Sequence, residues 1–306
     1  MSEVIHSSRR FAILVVILLL GLGLRLAPWG QNRFLEDEAL YTYWGLQIAT
    51  GSDPMLDDEP VDKPPLYPYI QALSFLLASP WQSEGVEGWR AHETAARLPS
   101  LLASLAGIAI VYALGQALYG DKRVGLVAAL LLALSAFDIL FASTAFTDPL
   151  MTVFVLGALW SVATDHHGMA GLLAGLAFAT KQQGLLFLPL VVTVGVLSTT
   201  DAQKASIGPQ LDETHGDSPT AGRILTGLQH IWSQRWLRFF LGFGLVVAAT
   251  LGWDAARLQR PGFFEQSLIS YGGLGPAQPA DLGERSVQWL HLAGAFWASP
   301  WFNALL

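Results

Sequence analysis

The chain has no cysteine, which rules out disulfides, iron–sulfur clusters and thiolate metal sites. Charge is also scarce. Only 13% of the 306 residues are charged, against about 25% in an ordinary soluble domain. Histidines are scattered, with no spacing that suggests zinc. A glycine-rich phosphate loop is missing as well. "YGGLG", Tyr271 to Gly275, lacks the strand–turn–helix setting such a loop needs.

Apolar sequence takes the place of charge. The chain is 52% hydrophobic with a mean hydropathy of +0.43, as expected of an integral membrane protein, and the 11 tryptophans and 16 phenylalanines suit bilayer interfaces. The formal charge is -7. Residues 28–97 hold eleven acids against four basic residues, Arg33, Lys63, Arg90 and Arg97, and so carry the whole imbalance. That polarity argues against a nucleic-acid partner.

Apolar runs predict an all-α, polytopic protein with spans at about 11–27, 98–119, 123–141, 149–164, 168–179, 183–198, 237–257 and 289–306. The run at 11–27 follows Arg9-Arg10 and reads as a retained first helix rather than a cleaved signal peptide, because no small-x-small site precedes the acids. Residues 66–79, "LYPYIQALSFLLAS", would reach only roughly 21 Å as a helix, short of the ~30 Å hydrocarbon core. The expectation is therefore one external loop, 28–97, with interfacial helices at about 36–50 and 65–79. Residues 199–235 read as a flexible polar loop on the cytoplasmic side. The chain stops inside an apolar stretch, so 1–306 reads as the N-terminal part of a domain whose C-terminal part is missing.

Four places hold candidate chemistry, each beside a plainer reading. Glu36-Asp37-Glu38 opens an aromatic-rich amphipathic run. Acids in a first turn complement the helix dipole, yet a carboxylate at a bilayer surface can also serve as a general base. Lys63 precedes Pro64-Pro65 in "VDKPPLYPY". The prolines fix the backbone, so the ammonium is held for a phosphate or snorkels at the interface. Asp148 precedes Pro149 at a helix start, where an N-cap role and a site role can coexist. Arg97 at the entry to a span and Lys181 between two spans are interfacial anchors or phosphate contacts. Asp138 lies near the end of its span and has no evident role.

The order of these elements says more than any one of them. A span is followed by Asp-Glu, an interfacial helix, Lys-Pro-Pro, a second interfacial helix and Arg. Two spans, Asp-Pro, further spans and Thr-Lys-x-x-Gly come next. This order resembles the GT-C membrane glycosyltransferases, in particular the branch using polyprenyl-phosphate monosaccharides. That branch includes protein O-mannosyltransferases and lipid A aminoarabinose transferases. The resemblance covers residues 9–198 well and 237–275 loosely.

The resemblance implies an inverting transfer from a polyprenyl-phosphate sugar to a hydroxyl of a protein, lipid or glycan on the external face. It makes Asp37 the catalytic aspartate, Glu38 its acidic neighbour and Asp148 the second acidic position. Lys63, Arg97 and Lys181 become donor-phosphate contacts. Two glutamines, Gln182 and Gln183, interrupt the family's Thr-Lys-Gly element. No cofactor is required, although a divalent cation at Asp37 and Asp148 is compatible with carboxylates beside a phosphate. The alternatives are a secondary transporter, which would place its charges at the bilayer midplane, and a scaffold whose 28–97 loop binds a partner.

Overall fold

The structure is a computed structural model describing residues 2–29, 33–78, 85–198, 220–257, 261–270, 283–288 and 290–291. The described residues contain no strand. The helices run in the order α1 (Ser2–Leu26), α2 (Glu36–Thr50), α3 (Leu66–Ala78), α4 (Gly85–Tyr119), α5 (Lys122–Ala133), α6 (Ala136–Ala142), α7 (Asp148–Ala163) and α8 (His167–Thr180). A 3-10 turn, Gln182–Phe187, leads into α9 (188–198), followed by α10 (Thr220–Ala256), α11 (Phe263–Ser270) and a helical stretch at 283–288. The all-α architecture read from the sequence is the one observed among the described residues.

Two stretches, Arg90–Tyr119 of α4 and Gln234–Ala256 of α10, are long and apolar enough to cross a membrane. A third span exists if α5 and α6 count as one. They were read as a continuous helix over 123–141, but the structure bends between them by 61°. The cause is local. Ser135 caps α6 by accepting from the Asp138 backbone N–H at 3.4 Å, which restarts the helix inside an apolar run. Residues 220–235 also depart from expectation, since the polar loop read there is the first part of α10. Its polar residues are compatible with a helix that continues past its apolar half. The expected span at 289–306 lies almost wholly outside the described residues.

The α7–α8–α10 group packs around Val155, Ala158, Val162, Ala174, Trp236 and Phe239. Small residues permit the closeness. A Cβ on Gly171 would collide with the Phe239 carbonyl of α10, so α8 and α10 meet backbone to backbone, a common contact between membrane helices. A second core joins α2, α3, α4 and α7 through Tyr41, Trp44, Tyr67, Ala103 and Leu150, with Leu56 and Val61 from the 51–65 loop.

Arg25 braces the bend. It is fully buried, donates to the Leu132 and Ala133 carbonyls at 3.2 Å each, and pairs with Asp138. Breaking a helix orphans carbonyls at its end; this guanidinium satisfies that of Ala133 and shares that of Leu132 with the Ser135 backbone N–H. Ser104 of α4 joins the cluster, accepting from Arg25 Nε at 2.6 Å and donating to Asp138. An ion pair so deep is tolerated because each member has a partner.

Candidate active site

Helix geometry separates the three acids of α2. Glu38, Tyr41, Thr42 and Gly45 are buried at the i, i+3, i+4, i+7 positions of one face. Asp37, one residue earlier, falls off that face and is exposed, as is Glu36. Among the described residues the Asp37 carboxylate has no hydrogen-bond or ion-pair partner.

Glu38 is fully engaged. Its Oε1 accepts from Arg97 Nε at 3.2 Å and from the Ala145 backbone N–H at 2.8 Å, and its Oε2 accepts from Leu35 N–H at 3.0 Å. Glu38 and Arg97 side chains are 2% and 3% exposed. Arg97 also lies over the Phe34 ring at 4.9 Å. The charge of Arg97 is therefore spent on fixing α2 to α4.

Tyr67 lies beneath both acidic elements. Its hydroxyl is within 3.1 Å of Ser100 Oγ, which donates to the Phe146 carbonyl at 3.1 Å. Burial pushes the Tyr67 hydroxyl well above its ordinary pKa, against the Ser100 hydrogen bond, and the charges of Glu38 and Asp148 add to the rise. The phenol therefore stays protonated, and both carboxylates act on it.

Lys63 is 3% exposed and its Nζ lies 2.6 Å from Asp62 Oδ2. The sequence reading missed Asp62, whose only signal was its place beside the lysine. Asp62 also ties the Lys-Pro-Pro loop to the 3-10 turn, because Gln182 Nε2 donates to the Asp62 carbonyl at 3.0 Å. The same Nε2 donates to Ser267 Oγ of α11 at 2.8 Å. Thus a glutamine inside the interrupted Thr-Lys-Gly element joins the turn to the loop and to α11. Lys181, next to it, reaches Asp148 Oδ1 at 2.7 Å.

The 51–65 loop is held from α10. Leu56 has a left-handed backbone, φ 54°, which is strained for a branched residue. Its carbonyl accepts from Arg257 Nε and Nη2 at 3.1 and 2.6 Å, and the Glu59 carbonyl accepts from Nη2 at 2.6 Å. Arg257 was too far away in sequence to be linked to this loop.

One hydrogen-bonded series thus joins residues 36–38, 145–148, 181–182 and 62–63. Beside Asp148 lies a cavity of about 340 Å³ lined by Leu132, Ser135, Phe137, Asp138, Phe141, Asp148, Pro149 and Thr152. Among the described residues no group of three or more His, Asp or Glu side chains is arranged for a metal. The Lys181 ammonium already occupies Asp148 Oδ1, so the fit to a divalent cation at Asp37 and Asp148 is poor.

Residues 62–208 match the family model described as dolichyl-phosphate-mannose-protein mannosyltransferase. The matched stretch is just under half of the chain, and the likeness is to a membrane glycosyltransferase of the GT-C kind. The match takes in Lys63, Arg97, Asp148 and Lys181, while Asp37 and Glu38 precede it. No curated protein and no solved structure matches the chain.

Proposed function

We propose that this protein is a membrane glycosyltransferase that moves a monosaccharide from a polyprenyl-phosphate donor to a hydroxyl acceptor at the external membrane face, with inversion at the anomeric carbon. The observation behind the proposal is the joined series 36–38, 145–148, 181–182 and 62–63. It ties the helix start that carries Asp37, the loop that carries Lys63 and the turn that carries Lys181 to one another through residues 145–148.

In this reading the acceptor oxygen bonds to the anomeric carbon as the bond from that carbon to the phosphate oxygen breaks. Asp37 takes the acceptor proton, for which an exposed carboxylate without a partner among the described residues is suited. The electron pair leaves with polyprenyl phosphate. Lys63, held by Pro64-Pro65 and Asp62, stabilises that growing charge, and Lys181 lends a second cation from its place on Asp148. Glu38 and Arg97 are positioning residues that fix the helix start carrying Asp37. A lipid-borne donor keeps its phosphate at the bilayer surface, so base and cation belong at one depth.

The test is incubation of membranes containing the protein with labelled polyprenyl-phosphate hexoses and, separately, with nucleotide sugars. Mass spectrometry of proteins, lipids and glycans then reports what gains a sugar. Transfer from the lipid-linked donors is expected. Transfer only from nucleotide sugars, or none, overturns the proposal.

A further inference from the structure

The cavity beside Asp148 has a composition the transfer step does not use. Two carboxylates, two hydroxyl side chains and two phenylalanines line it. Phe137 and Phe141 lie 4.4 Å apart between ring centroids, tilted by 31°. Each carboxylate has one oxygen anchored by a cation. Asp138 Oδ2 is held by Arg25 and Ser104, and Asp148 Oδ1 by Lys181. The other oxygens, Asp138 Oδ1 and Asp148 Oδ2, have no hydrogen-bond partner among the described residues.

Three ligand chemistries meet this wall differently. A metal ion finds both carboxylates already neutralised by Arg25 and Lys181. A hydrocarbon tail would leave two polar oxygens facing methylene groups, which costs free energy with no hydrogen bond in return. A neutral polyol suits it, because its hydroxyls donate to the open carboxylate oxygens and its C–H face packs on the phenylalanines. The volume also lies in the range of small-ligand sites, about 300–1,000 Å³.

We propose that the cavity between the α5–α6 bend and the start of α7 binds a pyranose ring, with Asp138 and Asp148 accepting from its hydroxyls and Phe137 packing against its face. The inference rests on the glycosyltransferase reading above and assigns a sugar subsite within it. The Arg25–Asp138 pair then has a use beyond satisfying the bend, since it presents one carboxylate oxygen to the ring. The ring is that of the donor or of a glycan acceptor.

The experiment measures KM and kcat for donor and acceptor separately, with the purified protein in lipid nanodiscs. The variants are Phe137→Leu, Phe137→Tyr and Thr152→Trp. Loss of an aromatic contact predicts a KM raised about 3- to 10-fold in Phe137→Leu, with kcat little changed and Phe137→Tyr restoring it. Thr152→Trp, which fills the cavity, should raise the same KM further. A shift in donor KM assigns the subsite to the donor sugar, and a shift in acceptor KM assigns it to the acceptor. Unchanged KM values in Phe137→Leu and Thr152→Trp overturn the inference while leaving the transferase reading intact. So does a Phe137→Leu penalty that vanishes when the donor's prenyl chain is shortened, since the tail is then the occupant. A wild type that transfers from no polyprenyl-phosphate sugar overturns both.

Discussion

Arg97 Nε donates to Glu38 Oε1 at 3.2 Å, and both side chains are almost wholly buried. The pair joins α2 to α4 next to the exposed Asp37. Removing one member leaves the other charge buried, a loss of about 3–5 kcal/mol in such pairs. Glu38→Ala should therefore lower thermal stability sharply. The double variant Glu38→Met with Arg97→Met should recover part of the loss. Equal stabilities for Glu38→Ala and wild type, in one detergent, would show that the pair does not hold α2.

Lys63 carries a different expectation. Its ammonium is confined by two prolines and by Asp62, so its charge is fixed at one place. Lys63→Gln should weaken donor use more than Lys63→Arg, which keeps a cation. Donor titration of both variants is the check, and equal kinetics would mean that this charge is not used.

Topology can be tested without a substrate. If Asp37 and Asp148 serve one site, their loops share a face, with α4 and the bent α5–α6 pair as the two crossings between them. The chain has no cysteine, so single cysteines can be read with an impermeant thiol reagent. Ser52 and Asp121 are exposed, whereas Ser143 is 8% exposed and half-buried Thr144 is the better probe. Ser218 lies outside the described residues. Cysteines at 52 and 144 should label from outside, and those at 121 and 218 should not. Labelling of 52 and 144 from opposite faces would separate the two acids.

Much of this was legible in the sequence because it was local. Helix starts at Glu36 and Asp148 follow from acids and proline at fixed offsets, and the shortness of 66–79 followed from residue count. The α5–α6 break also had a local sign, Ser135 three residues before an acid within an apolar run, but that run reads as one span until the cap is noticed. The rest is long-range. Arg25 meets Asp138, Arg257 meets Leu56 and Gln182 meets Asp62 only after helices pack. No periodicity encodes such pairs, and a lone Arg, Asp or Gln in an apolar chain does not name its partner.

His167 gives a pH dependence, just outside the apolar stretch 168–179. Burial pushes its imidazole below the ordinary value and Arg235 adds to this, while Asp165 opposes it. The folded protein thus binds this proton less readily than the unfolded chain. Its contribution to stability is present above the unfolded value of about 6.5 and is lost as pH falls below that toward the folded value. Thermal unfolding of wild type and His167→Gln at pH 7.5 and pH 5.5 should show the wild type losing more on acidification. Equal losses would mean that His167 is not the titrating group.

The most direct measurement is sugar transfer by Asp37→Asn beside wild type, from the same polyprenyl-phosphate hexose and in the same lipid. Asp37 is exposed and has no partner among the described residues, so the isosteric change should leave the fold and donor KM unaltered. The predicted result is transfer at least ~100-fold slower, the low end for losing a general base. Transfer by the folded variant at close to the wild-type rate would contradict the assignment and leave Asp37 as the first-turn acid of an ordinary helix.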